Sequence, residues 1–109
     1  VIYTSCYKRH GKDPRAVSIA GRPIDWYSGR EYRQLAPRLW FFKKYKEDGD
    51  QDFYIDHYYK EVLDLLDPAQ VAKDLEGCIL LCYEESGFCH RHVVAQWIRS
   101  HNIEVEELS

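Results

Sequence analysis

The 109-residue chain contains no methionine, not even as its first residue, which points to a trimmed or processed start. It has no run of roughly 18 apolar residues, which excludes a membrane-spanning helix. Val1-Ile2-Tyr3 gives way at once to polar residues, so no secretory leader is expected. Neither a Walker loop nor Gly-x-Gly-x-x-Gly occurs, which removes the usual triphosphate and dinucleotide sites. There is no excess of positive charge: 15 basic against 18 acidic residues leave a net charge of −3. A non-specific nucleic-acid binder is usually strongly basic, so that function loses ground, although a local basic patch remains compatible with it.

What is present is a globular balance, with 45% hydrophobic and 30% charged residues. The length fits one domain, residues 1–109, with a core of its own. Aromatics are abundant at 15%, and most are expected to pack, since tyrosine buries its ring while keeping its hydroxyl wet. Four cysteines, Cys6, Cys78, Cys82 and Cys89, allow two disulfides. Without a secretory leader, reduced thiols and a cytoplasmic location are expected instead.

Residues 1–5 and 16–20 read as short strands, and residues 8–15 and 25–32 as loops. A first helical region opens at Leu35-Ala36-Pro37, with Leu39, Phe42 and Tyr45 at helical spacing, and stops at Asp48-Gly49-Asp50. A second helix is expected over residues 52–66. Asp67-Pro68-Ala69-Gln70 is a helix start, with Asp67 as the cap, and Gly77 a stop. The apolar run over residues 78–83 fits a strand buried on both faces, as in a parallel sheet. Residues 90–101 form the last helix, with Asn102 as a candidate cap, and residues 103–105 a last strand. Strands alternating with helices predict an α/β fold, a single compact layered domain with a small, mainly parallel sheet flanked by helices.

In open parallel sheets, ligands bind outside the carboxyl ends of the strands. That end gathers Thr4, Ser5 and Tyr7, then Gly21 and Arg22, then Tyr83, Glu84 and Glu85, and the helix start Cys89-His90-Arg91. A helix N-terminus favours an anion and also favours the thiolate of a cysteine placed there. Arg91 adds a fork of donors suited to phosphate or carboxylate, and His90 a group that carries protons near neutral pH. The candidate catalytic residues are therefore Cys89, His90 and Glu84; the candidate ligand-binding residues are Arg91, Ser5, Thr4, Arg22 and Tyr83. The plainer alternative makes Cys89 a small buried hydrophobe and leaves His90 and Arg91 facing water. Cys82, Cys89, His90 and His92 are possible zinc ligands, but no Cys-x-x-Cys pair exists and no metal centre is expected. A phosphatase loop needs arginine six positions after the cysteine, where this chain has Phe88 and Ala95. Lys43, Lys44 and Lys46 read as a solvated helix face, and no cofactor is indicated.

Tyr3-Thr4-Ser5, Val17-Ser18-Ile19-Ala20, Leu66-Asp67-Pro68, Leu80-Leu81-Cys82-Tyr83-Glu84 and Phe88-Cys89-His90-Arg91 together resemble the family known as domain of unknown function 488. The resemblance implies a compact α/β fold whose signature is the Cys-His-Arg junction, with Cys82 and Glu84 beside it. It implies a shared site and no established reaction. The leading expectation is a domain that binds or acts on an anionic small molecule, such as a nucleotide or nucleic-acid component. A protein-interaction module presenting Trp26, Tyr27 and Trp40 is the alternative. A weaker one is nucleic-acid binding through Arg9, His10, Lys12, Arg15, Arg22 and Arg30.

Overall fold

The apolar run near residue 80 forms the centre of the sheet. In a computed structural model describing residues 1–108, it becomes β4 (Ile79–Cys82), buried along its whole length. The final residue of the expected domain lies outside the described residues. On one side β4 pairs with β1 (Ile2–Cys6), and on the other with β2 (Ala16–Ser18). The edges are β3 (Arg30–Glu31) beside β2 and β5 (Val105–Glu107) beside β1. The order is β3-β2-β4-β1-β5 and every pair is parallel, as the α/β expectation required.

Side chains alternate across a strand, and β4 shows both destinations. Leu80 joins the larger core; Ile79 and Leu81 join the smaller one on the opposite face. The larger core takes the buried faces of α2 (Leu39–Asp48), α3 (Gln51–Glu61), α4 (Pro68–Asp74) and α5 (His90–Arg99). The smaller core is closed by Tyr7 from the one-turn helix α1 (Tyr7–His10), with Ile24 and Tyr27 packed against it.

Local chemistry sets the element ends. The Asp67 carboxylate accepts from the Ala69 N–H at 3.0 Å with Pro68 in the first turn, the expected start of α4. Asp50 caps α3 the same way, accepting from Phe53 N–H at 3.1 Å. Gly49 ends α2 at φ 67°, where a side chain would be strained.

Several expected boundaries move. The first main helix starts at Leu39, not at Leu35-Ala36-Pro37: residues 33–35 form a 3₁₀ turn, and Ala36 is extended at ψ 134°. A residue preceding proline is pushed out of the helical region, so Pro37 delays the helix instead of opening it. The second helix ends at Glu61, because Val62 leaves helical geometry at φ −128°, and a 3₁₀ turn over Leu63–Leu65 follows. The expected loops over residues 8–15 and 25–32 contain α1 and β3. The last strand falls at Val105–Glu107, later than residues 103–105, since Asn102 turns the chain at φ 63° beyond the end of α5.

Candidate functional site

The carboxyl ends of β1, β4 and β5 and the start of α5 meet around one buried cation. Arg91, in the first turn of α5, is 1% exposed. Its Nε lies 3.2 Å from both carboxylate oxygens of Glu107, and Nη2 donates to Oε2 at 2.9 Å. Nη1 donates to the Glu84 carbonyl at 2.5 Å and points at Cys82 Sγ from 3.2 Å. Thr4 completes the arrangement by donating to Glu107 Oε1. Burial works against charge on Glu107, but the bonds from Arg91 and Thr4 outweigh it and hold the carboxyl below its ordinary range. The guanidinium fork read from the sequence as free for an outside anion is thus engaged within the fold.

His90 sits beside it and is also buried. Its Nε2 lies 2.9 Å from the carbonyl of Ile19, an acceptor only, so Nε2 carries the proton and donates. Desolvation pushes the ring's pKa down to about 4, leaving it neutral at pH 7. The Nδ1 lone pair then faces Cys89 Sγ at 3.9 Å. Cys89 is the extended residue before α5, and its side chain makes no capping bond to the helix. The loop between β4 and α5 folds back over the end of the sheet, which brings Cys89 against Cys82. The two sulfurs are joined as a disulfide, while Cys6 and Cys78 are free. The expectation of reduced thiols is corrected for this pair: seven residues separate them in sequence, but the strand–loop–helix reversal puts them together. One ligand atom from each of Cys82, Cys89 and His90 lies within 4.8 Å of the others.

Above this floor opens a cleft of about 710 Å³, lined by Arg22, Leu39, Phe42, Lys46, Tyr83, Glu84 and His90 among others. Arg22 follows β2, and its guanidinium has no hydrogen bond or ion pair among the described residues. Its carbonyl accepts from the Tyr83 hydroxyl, which ties the two loops together. Lys46 reaches from α2 to within 3.4 Å of the Glu84 carboxylate. The cleft thus combines apolar walls with the Arg22 cation and the Lys46–Glu84 ion pair.

The structure therefore brings Arg22, Tyr83, Glu84 and His90 to the cleft, with Cys89 and Arg91 directly behind His90. Thr4 acts from further back, through Glu107. Ser5 does not join them: its hydroxyl lies 2.6 Å from His10 Nδ1, away from the cleft lining. Sequence reasoning gave Lys46 to a solvated helix face and passed over Glu107 and the Ile19 carbonyl. Glu107 was hidden by the misplaced last strand, and a backbone carbonyl leaves no trace in composition.

The residues offered for nucleic-acid binding do not form one patch. Arg9 donates to the Glu85 carbonyl, His10 pairs with Ser5, and Lys12, Arg15 and Arg30 line a separate cavity at the amino ends of β2 and β3. Of the aromatics, Trp26 is 45% exposed, and Trp40 donates its ring N–H to Glu61. No helix among the described residues is long and apolar enough to cross a membrane.

Fold and junction together define a small parallel α/β domain whose last helix begins with a buried Cys-His-Arg segment. The chain belongs to the DUF488 family: the family model described as the active DUF488-N3 subclade matches residues 8–102. No curated protein and no solved structure matches it.

Proposed function

We propose that the chain binds an anionic small molecule in the cleft and acts on it at the Cys89–His90 floor. Arg22 and Lys46 hold the charge, and Leu39 and Phe42 take the apolar portion. Glu84 stands at the wall as a proton partner. Arg91 holds the floor in place through Glu107 and Cys82, and does not meet the ligand directly.

One observation carries this reading. The ring of His90 lines the cleft while Nε2 is fixed by a carbonyl and Nδ1 is turned to a sulfur. A buried imidazole held neutral at the base of a cleft is placed for chemistry more than for solubility. The word active in the subclade's description agrees with a catalytic role.

The test is a thermal-shift screen of phosphate- and carboxylate-bearing small molecules on the wild type, Arg22→Ala and Cys89→Ser. A true ligand raises the wild-type Tm, and Arg22→Ala weakens its binding about tenfold, some 1.4 kcal/mol. Cys89→Ser retains binding but loses turnover. A ligand that binds wild type and Arg22→Ala equally well would overturn the reading.

A further inference from the structure

We propose that the chain, once its Cys82–Cys89 disulfide is reduced, binds one zinc ion through Cys82 Sγ, Cys89 Sγ and His90 Nδ1, directly behind the His90 ring that lines the cleft, with one coordination position left for water. The site extends the functional reading above, which supplies the substrate; the metal itself rests on separate observations.

The donor atoms are the first. Two cysteine sulfurs, paired as a disulfide in the structure, and an imidazole, from the end of β4 and the start of α5, place their ligand atoms within 4.8 Å of one another, and all three residues are buried. Zinc takes sulfur at about 2.3 Å and nitrogen at about 2.0 Å, so two such ligands at a tetrahedral angle stand about 3.6 Å apart. Cys89 Sγ and His90 Nδ1 are 3.9 Å apart, close to that spacing.

The surroundings are the second. The bond from His90 Nε2 to the Ile19 carbonyl fixes both tautomer and ring direction, as the outer partners of zinc-bound histidines do. Arg91 Nη1 points at Cys82 Sγ, a donor suited to a thiolate, and the arginine's charge is met by Glu107. Two thiolates then balance the zinc charge. No fourth histidine, cysteine or carboxylate joins the group among the described residues. Three protein ligands with an open position mark catalytic zinc sites, while structural ones are closed by four. Water in that fourth position would ionise near neutral pH.

The test titrates reduced protein with Co²⁺ alone, then displaces it with Zn²⁺. Thiolate-to-cobalt charge-transfer absorption saturating at one equivalent per chain is the expected result. Cys82→Ser and Cys89→Ser lower the affinity by about a hundredfold or more, while Cys6→Ser and Cys78→Ser leave it intact. Far-UV circular dichroism without metal confirms that each variant is folded. Because the wild-type titration needs no variant, its failure to show thiolate-bound cobalt overturns the proposal outright. So does binding that survives Cys82→Ser, or that depends on Cys78. If cobalt binding fails while anion binding still depends on Arg22, the cleft reading stands and only the zinc falls.

Discussion

The two ends of the sheet each carry a cavity, and they differ in what they bury. The amino-end cavity, about 540 Å³, is lined by Lys12, Asp13, Arg15, Trp26 and Arg30. Its charges are as dense as those of the carboxyl-end cleft. They are settled in water, however: Asp13 and Arg15 form a two-bond pair at 3.1 Å that is exposed on the surface. Such pairs contribute little to stability. At the carboxyl end, Arg91, His90 and Thr4 have been taken out of water and given specific partners. Desolvating a cation costs several kcal/mol, and a fold retains one only where geometry compensates. The volume of a cavity is therefore a weaker mark of a site than the polar groups buried behind it.

The strongest way to break this comparison is to remove the buried cation. Arg91→Ala leaves Glu107 without its partner, frees the Glu84 carbonyl and opens a space behind Cys82. The expected loss is about 3–4 kcal/mol of stability, measured by urea unfolding of reduced protein. Arg15→Ala at the other end should cost less than about 0.5 kcal/mol. Equal losses from the two would show that the buried fork is no more than a surface pair.

Arg91 also shows how far the sequence could be read. The continuous apolar run at residues 78–83 pointed to a strand covered on both faces, and β4 lies within it, so this element was legible. Cys89-His90-Arg91 stood out because a strand–loop–helix junction concentrates chemistry. The direction of each side chain was not legible. Whether Arg91 points outward or inward depends on Glu107, which lies on a strand paired with β1 across more than a hundred residues of sequence. No local pattern announces such a pairing. β3 escaped for a similar reason: two exposed residues at a sheet edge carry no hydrophobic alternation. Pro37 misled because proline both opens helices and forbids helix in the residue before it, and here the second effect prevailed.

A smaller effect sharpens the comparison through pH. The Glu107 carboxyl is held below its ordinary range in the folded chain, so unfolded protein takes up its proton first as the pH falls. The stability it contributes is complete above about pH 4.5 and is lost as the pH drops through the folded value. Glu107→Gln should cost about 1–2 kcal/mol at pH 7, a charged hydrogen bond discounted for partial exposure. The gap between wild type and variant should then narrow as the pH falls below 4.5. Parallel unfolding curves down to pH 3 would mean that Glu107 carries no such linkage.

The smallest effect belongs to the amino-end cavity, where the comparison predicts almost nothing. Lys12 stands 5.7 Å from the Trp26 ring centre and is open to solvent, and Arg30 donates to the Asp74 carbonyl and points at the Cys78 sulfur. Lys12→Ala and Arg30→Ala should each change stability by less than about 0.5 kcal/mol. Affinity for an anion that depends on Arg22 should stay within about twofold of wild type, because roughly 10 Å of salt solution screens one exposed charge from another. Titration calorimetry at about 0.15 M salt reads this directly. A loss in either variant as large as that from Arg22→Ala would transfer the anion to the opposite end of the sheet, and the buried polar groups behind the cleft would then serve the fold alone.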